Sequence, residues 1–277
     1  QRSLHLLMRL EEITGISGFP ARSFLSKGEP RALPPDGEWH STPDSQWLWK
    51  GDTSSDHLVG HYYAYALYYD LVADETEKEA IRKVVSRLTD HLIKNNYNLV
   101  DLDGKPTRWG EFSEDYFKTR QGKYEAALRS LELLSFLRTA YHITGALRYL
   151  DAYQDRLRRG YAKHIQHYRH WPEWSAINFS DDELAYLSYQ PLLKYEQDTE
   201  LRNIYLENLR FTWTQVRSDM NPLWNYISVA SGAGPMSPEV REESRRTLQR
   251  IPMDTIKWEV RNSHRRDVKF RPDKARF

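Results

Sequence analysis

Three times along the chain, a mostly apolar or aromatic segment is followed, after a short break, by a charged segment that carries a single apolar stripe. The apolar segments span 58–72, 128–143 and 184–195, and the charged segments span 81–93, 150–165 and 201–216. A helix that is apolar all round is buried, whereas a helix with one apolar stripe lies at the surface. The alternation therefore predicts tandem helical hairpins with an inner and an outer layer, which is a repeat architecture.

The predicted fold class is all-α, with the hairpins arranged as an α/α toroid in a single domain over 1–277. Further helices are predicted at 4–13, where apolar residues recur at helical spacing before a glycine, and at 238–250, where a charged segment ends before a proline. Asp103-Gly104 lies between two short alternating segments and predicts a small β-hairpin insertion. The chain has fewer predicted helices than a closed toroid needs, so we expect an incomplete ring or an open arc.

Two segments are not predicted to be helical. The segment 18–51 carries prolines at 20, 30, 34, 35 and 43. Proline at this density excludes helix, and three tryptophans argue against disorder, so we interpret 18–51 as a long ordered loop over one face. The segment 251–277 has little apolar periodicity and many arginines. We interpret it as an irregular basic C-terminal segment.

The composition excludes several classes of function. Forty Lys and Arg against thirty-nine Asp and Glu leave a net charge of +1, which gives no general support for nucleic-acid binding. Because the chain has no cysteine, disulfides, thiolate metal sites and cysteine nucleophiles are excluded. No apolar run approaches the roughly 20 residues that span a bilayer, so no membrane span is predicted. The sequence does not give the oligomeric state or the compartment, although a location outside the cytoplasm is the favoured expectation.

No cofactor and no metal are predicted. The glycines at 232 and 234 lack the strand and the lysine of a phosphate-binding loop. His164, His167 and His170 are spaced by threes near the end of an outer helix, but no carboxylate completes a metal motif with them. A basic helix end is the simpler interpretation of these histidines.

Several sequence blocks resemble a known group of proteins. The turn YHITGALRYL at 141–150 resembles turns of the six-hairpin glycosidase superfamily. More closely, a set of blocks resembles a family of largely uncharacterised bacterial proteins placed among such toroids: TGISGFPAR at 14–22, WKGDTSSD at 49–56, PTRWG at 106–110, SDDEL at 180–184 and RNSHR at 261–265. This resemblance covers nearly the whole chain. It implies the toroid fold and an association with polysaccharide breakdown, and it supplies no catalytic residues.

In a toroid of this type, the residues at the start of the inner helices line a funnel. Asp52 and Asp56 precede the first inner helix, and hydrolysis of a glycosidic bond typically needs two carboxylates that flank it. Capping is the alternative, since 53–56 fits a capping box. His61 and Tyr62 follow one turn later as candidate substrate-binding residues, although a buried core position is the alternative for His61.

The third inner helix begins in the same way, with Asn178, Asp181 and Asp182. Asp181 and Asp182 are candidates for the second carboxylate, and Asn178 is a candidate substrate-binding residue. The alternative is again helix capping, for which Ser180 or Asp181 is suited.

Aromatic and cationic residues supply the remaining candidates. Arg108 can clamp a carboxylate and Trp109 can stack on a sugar ring. The alternative is that Arg108 forms a surface ion pair with Glu111, while Trp109 packs beside the pair. Trp224 is either a subsite residue or part of a loop that packs on the core.

A basic block near the C-terminus suggests a different chemistry. His264 can act as a base that removes a proton beside a carboxylate, while Asn262 and Arg265 neutralise that acid, as in a polysaccharide lyase.

We therefore expect a glycoside hydrolase that acts on a polysaccharide or oligosaccharide, with Asp52 or Asp56 and Asp181 or Asp182 as acid and base. One alternative is a lyase on a uronic-acid polymer that uses His264 or His61 together with Tyr62 and Arg108. The other is a non-catalytic carbohydrate-binding or scaffold protein. The expected partner in each case is a carbohydrate.

Overall fold

The computed structural model of the protein describes residues 2–28, 38–169 and 179–251. Its helices are α1 (Arg2–Glu12), α2 (Ser55–Leu71), α3 (Glu75–Lys94), α4 (Glu114–Lys118), α5 (Arg120–Thr144), α6 (Leu147–Arg158), α7 (Tyr161–Ile165), α8 (Phe179–Tyr195), α9 (Thr199–Val216), α10 (Pro222–Ala230) and α11 (Pro238–Arg250). Its strands are β1 (Ser23–Ser26), β2 (Trp39–Ser41), β3 (Trp47–Lys50), β4 (Asn98–Val100) and β5 (Pro106–Glu111). The described chain is thus mostly helical and has two small antiparallel sheets. This agrees with the prediction of an all-α fold with a small β-hairpin.

The three predicted hairpins are present as α2–α3, α5–α6–α7 and α8–α9. Local signals set their limits: Asp74 and Glu77 form a capping box at the start of α3, and Gly145, at a φ of 68°, ends α5. The second outer segment was predicted as one helix, but it is divided at Gly160, whose φ of 91° is outside the helical range.

Two helices were not predicted. The short helix α4 begins after Ser113, whose side chain caps the backbone N–H of Tyr116. The helix α10 begins after Asn221 with Pro222 in its first turn, which is a favoured position for proline. A loop was one of the two interpretations of the sequence around Trp224, and this residue lies in α10 instead.

One of the two sheets was predicted from the sequence, and the other was not. The hairpin predicted around Asp103-Gly104 is confirmed as β4–β5. The segment 18–51 was interpreted as a long ordered loop, yet it contains a three-stranded antiparallel sheet in the order β1-β3-β2. Pro20 and Pro43 lie outside these strands, so proline excluded helix without excluding sheet. Residues 252–277 of the predicted basic segment 251–277 lie outside the described residues.

The centre of the described structure is α5. Its residues 126–140 are all buried, and it contacts α2, α3, α4, α6, α7 and α8. The inner helices α2, α5 and α8 also contact one another pairwise. In a ring of inner helices the first and the third are not neighbours, so the three form a bundle whose middle is filled by side chains rather than a funnel.

The inner helices run in the same direction. Asp70, near the end of α2, accepts hydrogen bonds from His142 of α5 at 2.8 Å and from Tyr195 of α8 at 2.8 Å. His142 and Tyr195 stack with ring centroids 3.8 Å apart. Because these residues lie near the C-terminal ends of their helices, the N-terminal ends of α2, α5 and α8 meet at the opposite end of the bundle.

Across the described ranges, none of the helices is both long enough and apolar enough to pass through a bilayer.

Two glycines provide a matched test of this packing. A Cβ on Gly60 of α2 would have no atom within 4 Å, whereas a Cβ on Gly122 of α5 would lie 2.0 Å from the carbonyl oxygen of Tyr116. We expect Gly60→Ala to raise the free energy of unfolding by about 0.5–1 kcal/mol, because alanine is the better helix former. Gly122→Ala should lower it by about 1–3 kcal/mol or more through overpacking. Urea denaturation of both variants checks this, and equal effects would contradict the α4–α5 contact.

Candidate functional site

Asp52 lies in the loop before α2, at a left-handed φ of 50°. Its carboxylate accepts the backbone N–H of Arg108 at 3.1 Å and lies 3.8 Å from the guanidinium of Arg22. Its own backbone N–H donates to Asp101 Oδ2 at 2.8 Å. Aspartate tolerates the left-handed region better than most residues, and here it ties the loop to the β4–β5 hairpin. Asp52 thus has a structural role in this loop, and its catalytic role stays a prediction.

Asp56 lies exposed in the first turn of α2. The predicted capping box at 53–56 is wrong: Ser54 is the N-cap and makes no side-chain cap hydrogen bond, because its hydroxyl faces His57 Nδ1 at 3.1 Å. The negative charge of Asp56 still lies at the positive end of the helix dipole. It remains accessible to a ligand.

Asp182 and Asp181 lie in the first turn of α8, at the same end of the bundle as Asp56. Asp182 is buried and accepts hydrogen bonds from Arg169 Nε at 2.6 Å and Tyr168 Oη at 3.1 Å. Asp182 is thus held in a buried ion pair with Arg169, and its catalytic role stays a prediction. Asp181 is half-buried. The predicted residues Asn178, Asn262, His264 and Arg265 lie outside the described residues.

His61 and Tyr62 are both buried, which excludes the substrate contacts predicted for them. Burial lowers the pKa of His61 to about 3, so its imidazole is neutral, and its Nδ1 lies 3.3 Å from Tyr65 Oη. Tyr62 Oη shares a hydrogen bond of 2.8 Å with Thr89, and its ring stacks on Phe136. The alternative interpretation of His61, a core histidine, is the correct one.

Trp224 is also part of the core. It is buried between the rings of Phe179 and Tyr186, with centroid distances of 5.8 Å and 5.7 Å. No face of the indole is left for a sugar ring, so the prediction of a subsite residue is wrong.

Arg108 and Trp109 of β5 remain accessible. Arg108 is exposed and Trp109 is half-buried, and the guanidinium lies over the indole, 4.8 Å from its centroid. This cation–π pair differs from the alternative of an ion pair with Glu111, and it presents a flat surface with positive charge at the edge of the hairpin.

Beside this surface lies a group of charged residues that was not predicted from the sequence. Arg129 of α5 is buried and donates to Glu125 Oε2 at 3.1 Å and to Glu132 Oε2 at 3.1 Å. It also donates to the hydroxyl of Ser55 at the start of α2. Glu111 of β5 lies close enough for its pKa to respond to both Glu125 and Arg129. We call Glu111, Glu125, Arg129 and Glu132 the Arg129 cluster.

Two carboxyl groups of the Arg129 cluster have raised pKa values. Burial raises the pKa of Glu132 to about 7 in spite of Arg129, and Glu132 Oε1 is buried with no hydrogen-bond partner in the described structure. Burial, with a further contribution from the charge of Glu125, also raises the pKa of the partly exposed Glu111. Raised carboxyl pKa values are typical of groups that donate protons in catalysis, although structural ion pairs also produce them.

Glu125 is held by several hydrogen-bond donors. Besides Arg129, it accepts hydrogen bonds from Tyr116 Oη at 2.9 Å and from Gln121 at 2.5 Å. Both of its oxygens therefore accept hydrogen bonds. Glu111, whose pKa is raised in part by the charge of Glu125, lies near this fixed carboxyl group.

A sequence signal for the cluster exists. Arg129 and Glu132 interrupt the apolar segment 128–143 at a spacing of three, which places them on one side of the helix. Charged residues inside an otherwise apolar helix are almost never buried unless they are paired. The predicted funnel placed the candidate residues at the ends of the inner helices, so this internal pair was missed.

Comparison of the chain with protein-family models, with curated proteins and with solved structures finds no match. The resemblance to toroid-forming carbohydrate-active proteins therefore stays a prediction, and a function must be argued from the geometry.

The raised pKa of Glu132 predicts a pH-dependent stability. A carboxyl whose pKa is higher in the folded protein favours folding fully below its unfolded value of 4.5, and that contribution is lost as the pH rises through about 7. Between about pH 5 and pH 8, Glu132→Gln should therefore gain about 3 kcal/mol of unfolding free energy relative to the wild type. Urea denaturation at both pH values measures this.

The exposed residue Glu207 of α9 provides the control. The unfolding free energy of Glu207→Gln should change between the two pH values as that of the wild type does. If the unfolding free energy of Glu132→Gln also changes as that of the wild type does, Glu132 is not a buried carboxyl with a raised pKa.

Proposed function

We propose that this protein is a glycoside hydrolase acting on a polysaccharide or oligosaccharide, and that the Arg129 cluster supplies its acid and base. One observation carries the proposal: Glu111, a partly exposed carboxyl group with a raised pKa, lies near Glu125, whose charge contributes to that rise. Glu125 itself is held by Arg129, Tyr116 and Gln121. Two nearby carboxyl groups, one of them with a raised pKa, are a common arrangement of catalytic acid and base. The acid–base pair thus differs from the aspartates that were predicted from the sequence.

In the proposed reaction, Glu111 is the general acid. Burial and the charge of Glu125 raise its pKa, and in its protonated form it transfers the proton to the glycosidic oxygen as the bond from that oxygen to the anomeric carbon breaks. Glu125 then acts as the carboxylate, either attacking the anomeric carbon directly or taking a proton from the water that attacks it. Arg129, Tyr116 and Gln121 hold Glu125 in place.

The substrate surface is proposed to be the Arg108–Trp109 pair. Glu111 lies on the same strand, two residues after Trp109. The aromatic face suits the apolar face of a sugar ring, and the guanidinium suits a hydroxyl or a uronic carboxylate. The exposed carboxylate of Asp56, which lies close enough to raise the pKa of Glu132, is placed to contact the same ligand.

This location changes the expected form of the toroid. The described inner helices form a filled bundle, so the proposed cleft lies at the N-terminal ends of α2 and α5 beside β5, rather than along a central axis. The toroid itself remains a proposal, supported by the tandem order of inner and outer helices.

A reducing-end assay on a panel of neutral and uronic polysaccharides, with ultraviolet absorbance read in parallel, tests the proposal. We expect new reducing ends without the absorbance of an unsaturated uronide. Glu111→Gln and Glu125→Gln should each lower the rate by about 100-fold or more, since general acid–base catalysis typically contributes that much. Glu207→Gln should leave the rate unchanged.

Other outcomes decide between the alternatives. Reducing ends together with unsaturated product would contradict hydrolysis and favour the lyase. Full activity of both glutamine variants would exclude the Arg129 cluster as the catalytic site. Binding of a polymer without any product, weakened by Trp109→Ala, would favour the non-catalytic carbohydrate-binding protein.

A further inference from the structure

We propose a second site, distinct from the Arg129 cluster: Glu38, His40 and Asp101 bind a first-row divalent transition-metal ion, for which Zn²⁺ is the reference. Glu38 directly precedes β2, His40 lies within β2 and Asp101 directly follows β4. One ligand atom from each side chain lies within 4.8 Å of the other two. Glu38 and His40 are two residues apart, but Asp101 is distant in sequence and adjoins the other sheet, so no spacing motif identifies the site.

His40 provides the first independent support. Its Nε2 is buried and has no hydrogen-bond partner among the described residues, although the groups that it faces are carboxylates. The imidazole is held by Trp49, whose ring centroid lies 4.4 Å away. A buried polar atom without a partner requires an explanation, and a bound ion is one of the few available.

Gly51 provides the second independent support for the metal site. A Cβ at this position would lie 2.5 Å from Asp101 Oδ2 and 2.9 Å from His40 Nε2. Unlike many glycines, Gly51 does not have a left-handed φ. The close approach of Asp101 and His40 to the backbone, rather than backbone conformation, is therefore what requires glycine here. Glycine lets the carboxylate and the imidazole nitrogen lie on the same side of this loop, next to each other.

The backbone around the site orients the carboxylate of Asp101. Its Oδ2 accepts the N–H of Asp52 at 2.8 Å, and its Oδ1 accepts the N–H of Leu102 at 2.7 Å. The backbone N–H of Gly51 donates to the carbonyl of Glu38 at 2.8 Å, which fixes the start of β2. Such outer contacts hold metal ligands in position. They also explain the left-handed φ of Asp52, which points its N–H at Asp101.

The donor set selects the class of ion. An imidazole nitrogen is a poor ligand for Ca²⁺ or Mg²⁺, whereas one imidazole and two carboxylates suit Zn²⁺ or a similar ion. With bonds of about 2.1 Å, tetrahedral ligand atoms lie about 3.4 Å apart, so the three side chains must draw together on binding. Glu38 is exposed and can move to do this. The remaining coordination position would be open to water or to a ligand.

Calorimetric titration of the full chain, first treated with a chelator, with Zn²⁺ tests the site. We expect one ion per chain and a rise in melting temperature on binding, because the ion binds the folded state. Glu38→Gln and His40→Gln should each weaken binding at least about tenfold, as loss of a metal ligand does. Glu38 is at the surface, so Glu38→Gln should leave the melting temperature of the metal-free protein unchanged.

The exposed His5 of α1 provides the matched control. His5→Gln should bind Zn²⁺ as the wild type does. Mn²⁺ should bind more weakly, and Ca²⁺ should not compete. Absence of Zn²⁺ binding would overturn the proposal, as would binding that survives both Glu38→Gln and His40→Gln, because the ion would then lie elsewhere.

Discussion

Two arginines in the middle of α5 have almost no contact with bulk water, and the arrangement of the surrounding elements follows from how they are paired. Arg129 and Arg138 are both buried. Arg129 is satisfied by Glu125 and Glu132, whereas Arg138 donates to the carbonyl of Tyr195 at 2.8 Å and lies 3.7 Å from Glu196. A buried charge without its partner costs several kcal/mol. The two arginines therefore fix how the start of α2 and the end of α8 meet α5, with the apolar core between them.

The same burial supplies the chemistry that we propose. Burial beside α5 removes water from around these groups, and this raises the pKa values of Glu132 and Glu111 in the Arg129 cluster. The Asp52 loop connects this end of the molecule to the rest. Its carboxylate holds the backbone of Arg108, and its N–H holds Asp101 of the proposed metal site. The two proposed sites are thus separate in chemistry but share one rigid loop.

Apolar periodicity was sufficient to predict the inner and outer helices, and Asp103-Gly104 was sufficient for the hairpin, because these signals are local. The site was harder to predict. The partner of Asp182 is Arg169, and the ring contacts of Trp224 come from α8, so neither burial could be deduced from neighbouring residues. The sheet within 18–51 was missed because its strands are only three or four residues long and lie between prolines. The charges at Arg129 and Glu132 were visible, but an expected funnel placed the site at the helix ends instead.

Hydrogen exchange followed by mass spectrometry tests most directly whether α5 is the buried centre on which the other elements depend. Core helices exchange only through global unfolding, whereas surface helices open locally. We predict that amides of 126–140 exchange last, and that those of the charged surface helix α11 exchange well before them. Exchange of 126–140 at the rate of α11 would contradict a buried central α5, because the charges of Arg129 and Glu132 would then not be held in a stable interior.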